Sequence, residues 1–420
     1  MSKTWYLFWF SVGLCAPLSS FAGAGSDSAD YIQRYVTESG LEYSYISFDD
    51  IAPAGYQLNQ SWNGMGMDDR GRIYIGWTSL RSDGLEDFVT YSYDPHTEQR
   101  RLIGSMMMAS QQAGNLLPGE AIPKGHTEIV QVGSKMYMAS QSFHDFKREI
   151  DELPNYRGAH LYEYDMETGV FRDVSAVMSG GVVLEHEGIV GLAYDAPSKQ
   201  LVGISHPHYN MVFLDINQLN EPRIVEGIPW QLGNPLSREV IVDKHGKVYL
   251  YRGTERTEER NQRFNMWVYD TKSGTLSETD QQFNNGFWAG QAHTKAGDTI
   301  YISTVNGGLF ALDTASGKVS DLGDVIVASA EVGESLRAHF LYDIILSQDE
   351  RAIYALPAGK HSDLFRYDIE SAEVTRVASL PDDVYSGNNL MGENGDIYLA
   401  KFKAWSGEAR LMILHGVGKE

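Results

Sequence analysis

Cysteine is almost missing from this chain: 420 residues contain one, Cys15. Beyond the N-terminal segment no stretch approaches the ~20 uninterrupted apolar residues that a membrane-spanning helix requires. Positive charge is also scarce, with 34 Lys and Arg against 56 Asp and Glu and a formal net charge of −22. That balance excludes nonspecific binding to nucleic acid or to an acidic membrane as the default activity. Zinc-protease HExxH, serine-hydrolase GxSxG and phosphate-binding Walker or GxGxxG signatures in their strand–helix context are absent as well, so those reaction classes have no support. What is plentiful is glycine, 42 residues, with aromatics at 11% and charged residues at only 21%. This composition belongs to turn-rich β-structure, not to helical repeats or a disordered chain.

Residues 1–24 carry Lys3, an apolar stretch from Trp5 to about Pro17, and then the small residues Ser20, Ala22, Gly23 and Ala24. This is the pattern of a secretory signal peptide. Cys15 lies inside it behind Leu14, where lipoprotein processing would want a small residue. The expected product is a secreted chain of residues 25–420, extracellular or periplasmic, with no membrane anchor. Such a chain has no cysteine for disulfides or thiolate metal ligands.

One apolar phrase recurs seven times, at Ile73-Tyr74, Met136-Tyr137, Leu201-Val202, Val248-Tyr249, Ile300-Tyr301, Ile353-Tyr354 and Ile397-Tyr398. The intervals run from 44 to 65 residues, the period of four-stranded propeller blades with insertions. A second phrase follows most copies and ends in aspartate, at Asp94, Asp165, Asp215, Asp270, Asp313 and Asp368. Asp suits a turn after a third strand because its carboxylate accepts backbone N–H bonds there. The fold class is therefore all-β, a seven-bladed β-propeller in a single domain, since no Pro/Ser-rich linker interrupts the series. The last copy has strands near residues 396–401 and 409–414 and too little chain for a fourth, so residues 42–48 are expected to close the ring as its outer strand. Residues 28–39 read as a short amphipathic helix stopped by Gly40.

In an antiparallel blade the start of the innermost strand and the end of the second meet on one face of the ring. Asn63, His126 and Arg238 each fall eleven residues before a second-strand marker. His144, then His206, His208 and Tyr209, then Arg252 and Arg256 lie just past second strands, on that same face. The long connections, 140–160 with a helix expected over 146–153 and 252–263, belong to it too, and such loops are where sites are built. Arginines and protonatable histidines against an acidic background point to an anionic ligand at the channel mouth. The constellation suits proton abstraction beside a carboxylate: an arginine, Arg238 or Arg252, neutralises the carboxylate, and a histidine removes the C5 proton and returns one to the leaving oxygen. His96 and His245 sit in turns, and His160, His186, His293, His339, His361 and His415 read as structural. His206-Pro207-His208 puts two imidazoles on one side of an extended segment, a spacing compatible with zinc, though no cysteine can complete a site and no carboxylate spacing points to one.

The run Gly125-His126-Thr127-Glu128-Ile129-Val130, then Lys135-Met136-Tyr137, His144, and Tyr156-Arg157-Gly158-Ala159-His160 resembles secreted seven-bladed propeller polysaccharide lyases acting on ulvan, a sulfated polymer of rhamnose and uronic acids. Ser237-Arg238 fits the same pattern. The resemblance implies His126 as base and acid, His144 as its assistant and Arg238 as the residue that neutralises or binds the uronate. Asn63, His206, His208, Tyr209 and Arg252 are then substrate-binding candidates, with Tyr209 able to share proton transfer. The implied partner is an anionic sulfated polysaccharide, with no nucleic acid and no membrane, and a monomer is expected. The chemistry requires no cofactor, and a structural calcium or zinc ion is left open. The competing readings are a metal-assisted lyase of pectin fragments (oligogalacturonates) and a non-catalytic propeller that binds glycan or protein.

Overall fold

The computed structural model describes residues 31–141, 157–226, 239–253, 264–283, 288–326, 340–358, 362–380, 387–401 and 408–419. They form seven four- or five-stranded antiparallel sheets in chain order, the blades of a β-propeller, and one further two-stranded pair, Gly158–Ala159 with Leu184–Glu185. Each repeated phrase is the second strand of a blade, with Tyr74, Tyr137, Val202, Tyr249, Tyr301, Tyr354 and Tyr398 all buried between sheets. A buried phenol needs a hydrogen-bond partner, and the preceding turn supplies it in two blades. Asp68 accepts from the backbone N–H groups of Arg70 and Arg72 and from the Tyr74 hydroxyl at 3.1 Å. Asp243 does the same for His245, Lys247 and Tyr249, the last at 2.8 Å. In the second blade Tyr137 donates instead to Glu163 across the sheet at 2.8 Å.

The aspartates that end the third strands also act as their residue type dictates. Asp94, Asp165, Asp270 and Asp368 each accept backbone N–H bonds two or three residues on. Those bonds favour the ionised form, which holds the Asp165, Asp270 and Asp368 carboxyls below the usual range.

The ring closes with an N-terminal strand, as the short last repeat requires. Glu42–Ile46 pairs with Arg410–Leu414, which continues through Ile397–Lys401 to Leu390–Met391. Residues 32–36 do not form the expected helix; they are a strand, Ile32–Val36, paired antiparallel with Glu42–Ile46. Periodicity over so short a segment does not separate helix from strand. The open edge of Glu42–Ile46 and the stacking of Tyr35 on Tyr43, ring centroids 5.3 Å apart, decide for the strand. Gly40, with φ +90°, is the turn residue of this hairpin and not a helix stop.

Two innermost strands are interrupted in the middle, and these interruptions position the site. Blade 1 runs Tyr56–Gln60, breaks, and resumes at Met65–Met67. Blade 2 runs Lys124–Gly125, breaks, and resumes at Val130–Val132. Gly125 is required at the second break because a Cβ there would sit 2.5 Å from the ring of Phe88. The Ile129 N–H donates to the carbonyl of Met65 at 2.9 Å, so the two interruptions lean on each other.

Candidate active site

His126 lies in the blade 2 interruption and is 2% exposed. Thr127 anchors the irregular backbone by accepting from the Ala139 N–H at 3.0 Å. The His126 Nδ1 is 3.3 Å from the main-chain oxygen of Val190 on blade 3. A carbonyl can only accept, so Nδ1 carries the hydrogen and Nε2 carries the lone pair of the neutral ring. The other side of the imidazole faces Trp62, nearly parallel at 12° with centroids 6.4 Å apart. Lys124, one strand position before Gly125, places its ammonium 4.7 Å from the centre of the same indole. Lys124, Trp62 and His126 thus form one group: cation, aromatic plate and imidazole. Glu86 also faces Lys124; burial raises its carboxyl above the usual range and the lysine charge offsets part of that rise.

The second group is on blade 3. Its second strand Gln200–His206 runs into a turn closed by Ser205 N–H to Asn210 O and Asn210 N–H to Ser205 Oγ, both 2.9 Å. The segment His206-Pro207-His208 enters this turn instead of extending. His206 is buried, edge-on to Tyr209 with centroids 5.7 Å apart, while the His208 side chain is 64% exposed. Among the described residues no group of three or more His, Cys, Asp or Glu side chains is placed to hold a metal ion. Burial pushes the Tyr209 hydroxyl above its usual pKa. His208 Nδ1 stands 2.9 Å from Oε1 of Glu187, a carboxylate that sequence reading passed over.

The remaining candidates are placed as follows. Asn63 is buried in the blade 1 interruption, and its amide, oriented with the nitrogen inward, donates to the carbonyls of Trp62 at 2.8 Å and Gly387 at 2.6 Å. Its donors thus join blade 1 to blade 7. Arg252 is exposed near the end of Lys247–Gly253, opposite Asn265. His144, Arg238, Arg256 and the helix expected over 146–153 lie outside the described residues. Trp62 and Lys124 were also not singled out from sequence, although each is within two residues of a candidate, Asn63 or His126.

Residues 140 and 160 of blade 2 are held together by backbone and side-chain bonds. Ser140 and His160 exchange two hydrogen bonds, 2.9 and 2.8 Å. The His160 ring, read from sequence as structural, is buried between Asp173 at 2.8 Å and Glu120 at 3.4 Å. Arg157 also bonds Glu120, at 3.2 Å. Burial opposes every charge here, but the hydrogen bonds outweigh it: His160 is raised above its usual value, and Glu120 and Asp173 are lowered below theirs.

The molecule is thus a seven-bladed β-propeller with Lys124, Trp62 and His126 grouped at the interruptions of the first two blades. Among solved structures it is similar to an oligogalacturonate lyase in complex with manganese, with a TM-score of 0.54, 10% identity, and coverage of 91% of this chain and 96% of that one. It is about as similar to a chain of a mitotic checkpoint complex, with a TM-score of 0.53, 9% identity, and coverage of 96% and 99%. One neighbour is an enzyme and the other belongs to a checkpoint assembly, so the likeness is one of fold. No protein-family model matches the chain, and no curated protein sequence does.

Proposed function

We propose that the protein is a polysaccharide lyase that cleaves a uronate-containing polymer of the ulvan class by β-elimination. The observation that carries this reading is the Lys124–Trp62–His126 group. Elimination from a uronic acid needs a cation to neutralise the carboxylate, because only then is the C5 proton acidic enough to remove. Lys124 provides that cation from within the site, alongside Arg238 and Arg252 as further candidates. Trp62 offers a face on which a sugar ring can stack. His126, with Nδ1 tied back to Val190, directs its Nε2 lone pair as the base. The C5–H electron pair forms the C4–C5 double bond, the C4–O bond breaks, and the leaving oxygen takes up a proton.

The substrate is a sulfated polyanion although the protein is strongly acidic. The two are compatible when positive charge is concentrated at the mouth, so that capture is local and sensitive to salt. In this reading the chain is exported after loss of residues 1–24, acts as a monomer and needs no cofactor for the chemistry. The experiment is product analysis by mass spectrometry after incubation with ulvan, polygalacturonate and other uronate polymers. Unsaturated ulvan oligomers support the reading. Turnover of oligogalacturonate alone, abolished by a chelator, points to the metal-assisted pectin-fragment lyase instead, and binding without products over long incubation points to a glycan-binding propeller.

A further inference from the structure

One phenyl ring packs against both strand interruptions. Phe88 belongs to the third strand of blade 1, Glu86–Asp94, and is 1% exposed. The far edge of its ring meets three glycines on three different segments. A Cβ at Gly64, in the blade 1 interruption, would sit 2.5 Å from Cζ, and one at Gly125, in blade 2, would sit 2.5 Å from Cε1. A Cβ at Gly76, on the second strand Ile73–Arg81, would overlap the same two atoms. Glycine inside a strand marks a close approach of this kind, and here a single side chain accounts for all three.

The glycines also meet one another. The Gly76 N–H donates to the carbonyl of Gly64 at 2.7 Å, and a Cβ at Gly64 would lie 3.1 Å from the carbonyl oxygen of Gly125. Trp62 stands two residues before Gly64, and His126 directly follows Gly125. The indole and the imidazole, with centroids 6.4 Å apart and planes at 12°, are thus carried by two stretches of backbone that close on the same ring. Strand pairing resumes only at Met65–Met67 and Val130–Val132, so the ladder does not fix the breaks themselves. A rigid ring between them supplies the missing constraint, because a close-packed interior transmits even a small change of volume.

We propose that Phe88 is a positioning residue: wedged against Gly64, Gly76 and Gly125, its ring fixes the placement of His126 relative to Trp62. The geometric claim stands on packing alone, and its consequence for turnover rests on the lyase reading. A side chain without the ε and ζ atoms lets Gly125 settle into the space they held. His126 then moves off the main-chain oxygen of Val190, now 3.3 Å from its Nδ1, and the base is misaligned. Such a displacement lowers kcat far more than it raises KM.

The test uses Phe88→Leu, Phe88→Met, which keeps more of the volume, and as a control Phe310→Leu, on the third strand of blade 5 and 3% exposed. Circular dichroism reports folding, and Phe88→Met carries the test if Phe88→Leu does not fold. Nitrogen-15 NMR should show the His126 ring as the Nδ1–H tautomer in unmodified protein. The Phe88 variants should lose that preference, while the control, also destabilised, keeps it. On a uronate polymer the Phe88 variants should lose about tenfold to a hundredfold in kcat with KM little changed. Gly125→Ala should lower stability to chemical denaturation, and combined with Phe88→Leu it should be no less stable than the weaker single variant, since leucine vacates the space the new methyl needs. A mixed tautomer in unmodified protein, a tautomer unmoved in the Phe88 variants, an equal change in the control, or additive losses in the double variant would overturn the positioning role and leave the lyase reading in place. Failure of unmodified protein to cleave any uronate polymer would overturn the lyase reading alone, because the tautomer and stability measurements decide the positioning role without turnover.

Discussion

The imidazole of His126 is carried by the second blade and oriented by the third, through the 3.3 Å contact between its Nδ1 and the main-chain oxygen of Val190. The acceptor belongs to a strand whose register shifts between Ile189 and Gly191, and such bulges re-aim backbone groups beside sites. His126→Ala is expected to lower kcat by about 10²–10⁴ with the β-sheet circular dichroism retained. Full activity in the folded variant would remove His126 from the mechanism.

Lys124 should affect capture as well as chemistry. Replacing it by Met keeps much of the stem against Trp62 and removes the charge. The loss of one charge-assisted contact corresponds to about 1.5–3 kcal/mol, or roughly tenfold to a hundredfold in kcat/KM. The variant should also show a weaker dependence of kcat/KM on ionic strength than the unmodified protein. Steady-state kinetics at two salt concentrations checks both.

Asp243 tests the repeat unit itself. Asp243→Ala strips the buried Tyr249 hydroxyl of its 2.8 Å partner and frees the turn N–H groups of His245 and Lys247. An unsatisfied buried group costs about 1–3 kcal/mol, so chemical denaturation should show a loss of at least that size. Asp243→Asn, which keeps an acceptor, should lose less.

The repeats were legible because each copy combines two signals with direct physical causes: an apolar pair that must be buried and an aspartate that closes a turn. Tyr249 and Asp270 satisfy both within one blade, and Asp243 adds a third that the spacing Asp-x-x-Gly before Val248-Tyr249 would have revealed. Residues 32–36 were misread because their strand state depends on a partner, Glu42–Ile46, that is itself an added edge. The site was legible only in part. Counting back from the markers found Asn63 and His126, since both lie in matching strand interruptions. It could not show that the Asn63 amide is committed to Gly387, more than three hundred residues away in the chain. Nor could it find Glu187, whose partners Ser205, His208 and Asn210 are gathered by a turn that leaves no periodic trace.

The His160 cluster makes stability depend on pH from both sides. Glu120 and Asp173 are lowered in the folded protein, so their contribution is present above their unfolded values, about pH 4–4.5, and is lost as pH falls through the folded ones. His160 is raised, so its contribution is full below about pH 6.5 and is lost as pH rises through the folded value. The cluster should stabilise most between about pH 4.5 and 6.5. Melting temperatures across pH should fall on the alkaline side of that window, and His160→Gln should flatten this alkaline limb. An unchanged limb would mean that His160 is not charged in the folded protein.

The central claim is that the Lys124–Trp62–His126 group carries out β-elimination on a uronate polymer. The most direct measurement is the ultraviolet absorbance of the new C4–C5 double bond during incubation with ulvan, recorded for unmodified protein and for folded His126→Ala. A steady rise with the first and none with the second is the predicted result. No rise with unmodified protein across a panel of uronic-acid polymers, or an equal rise with both proteins, would contradict it.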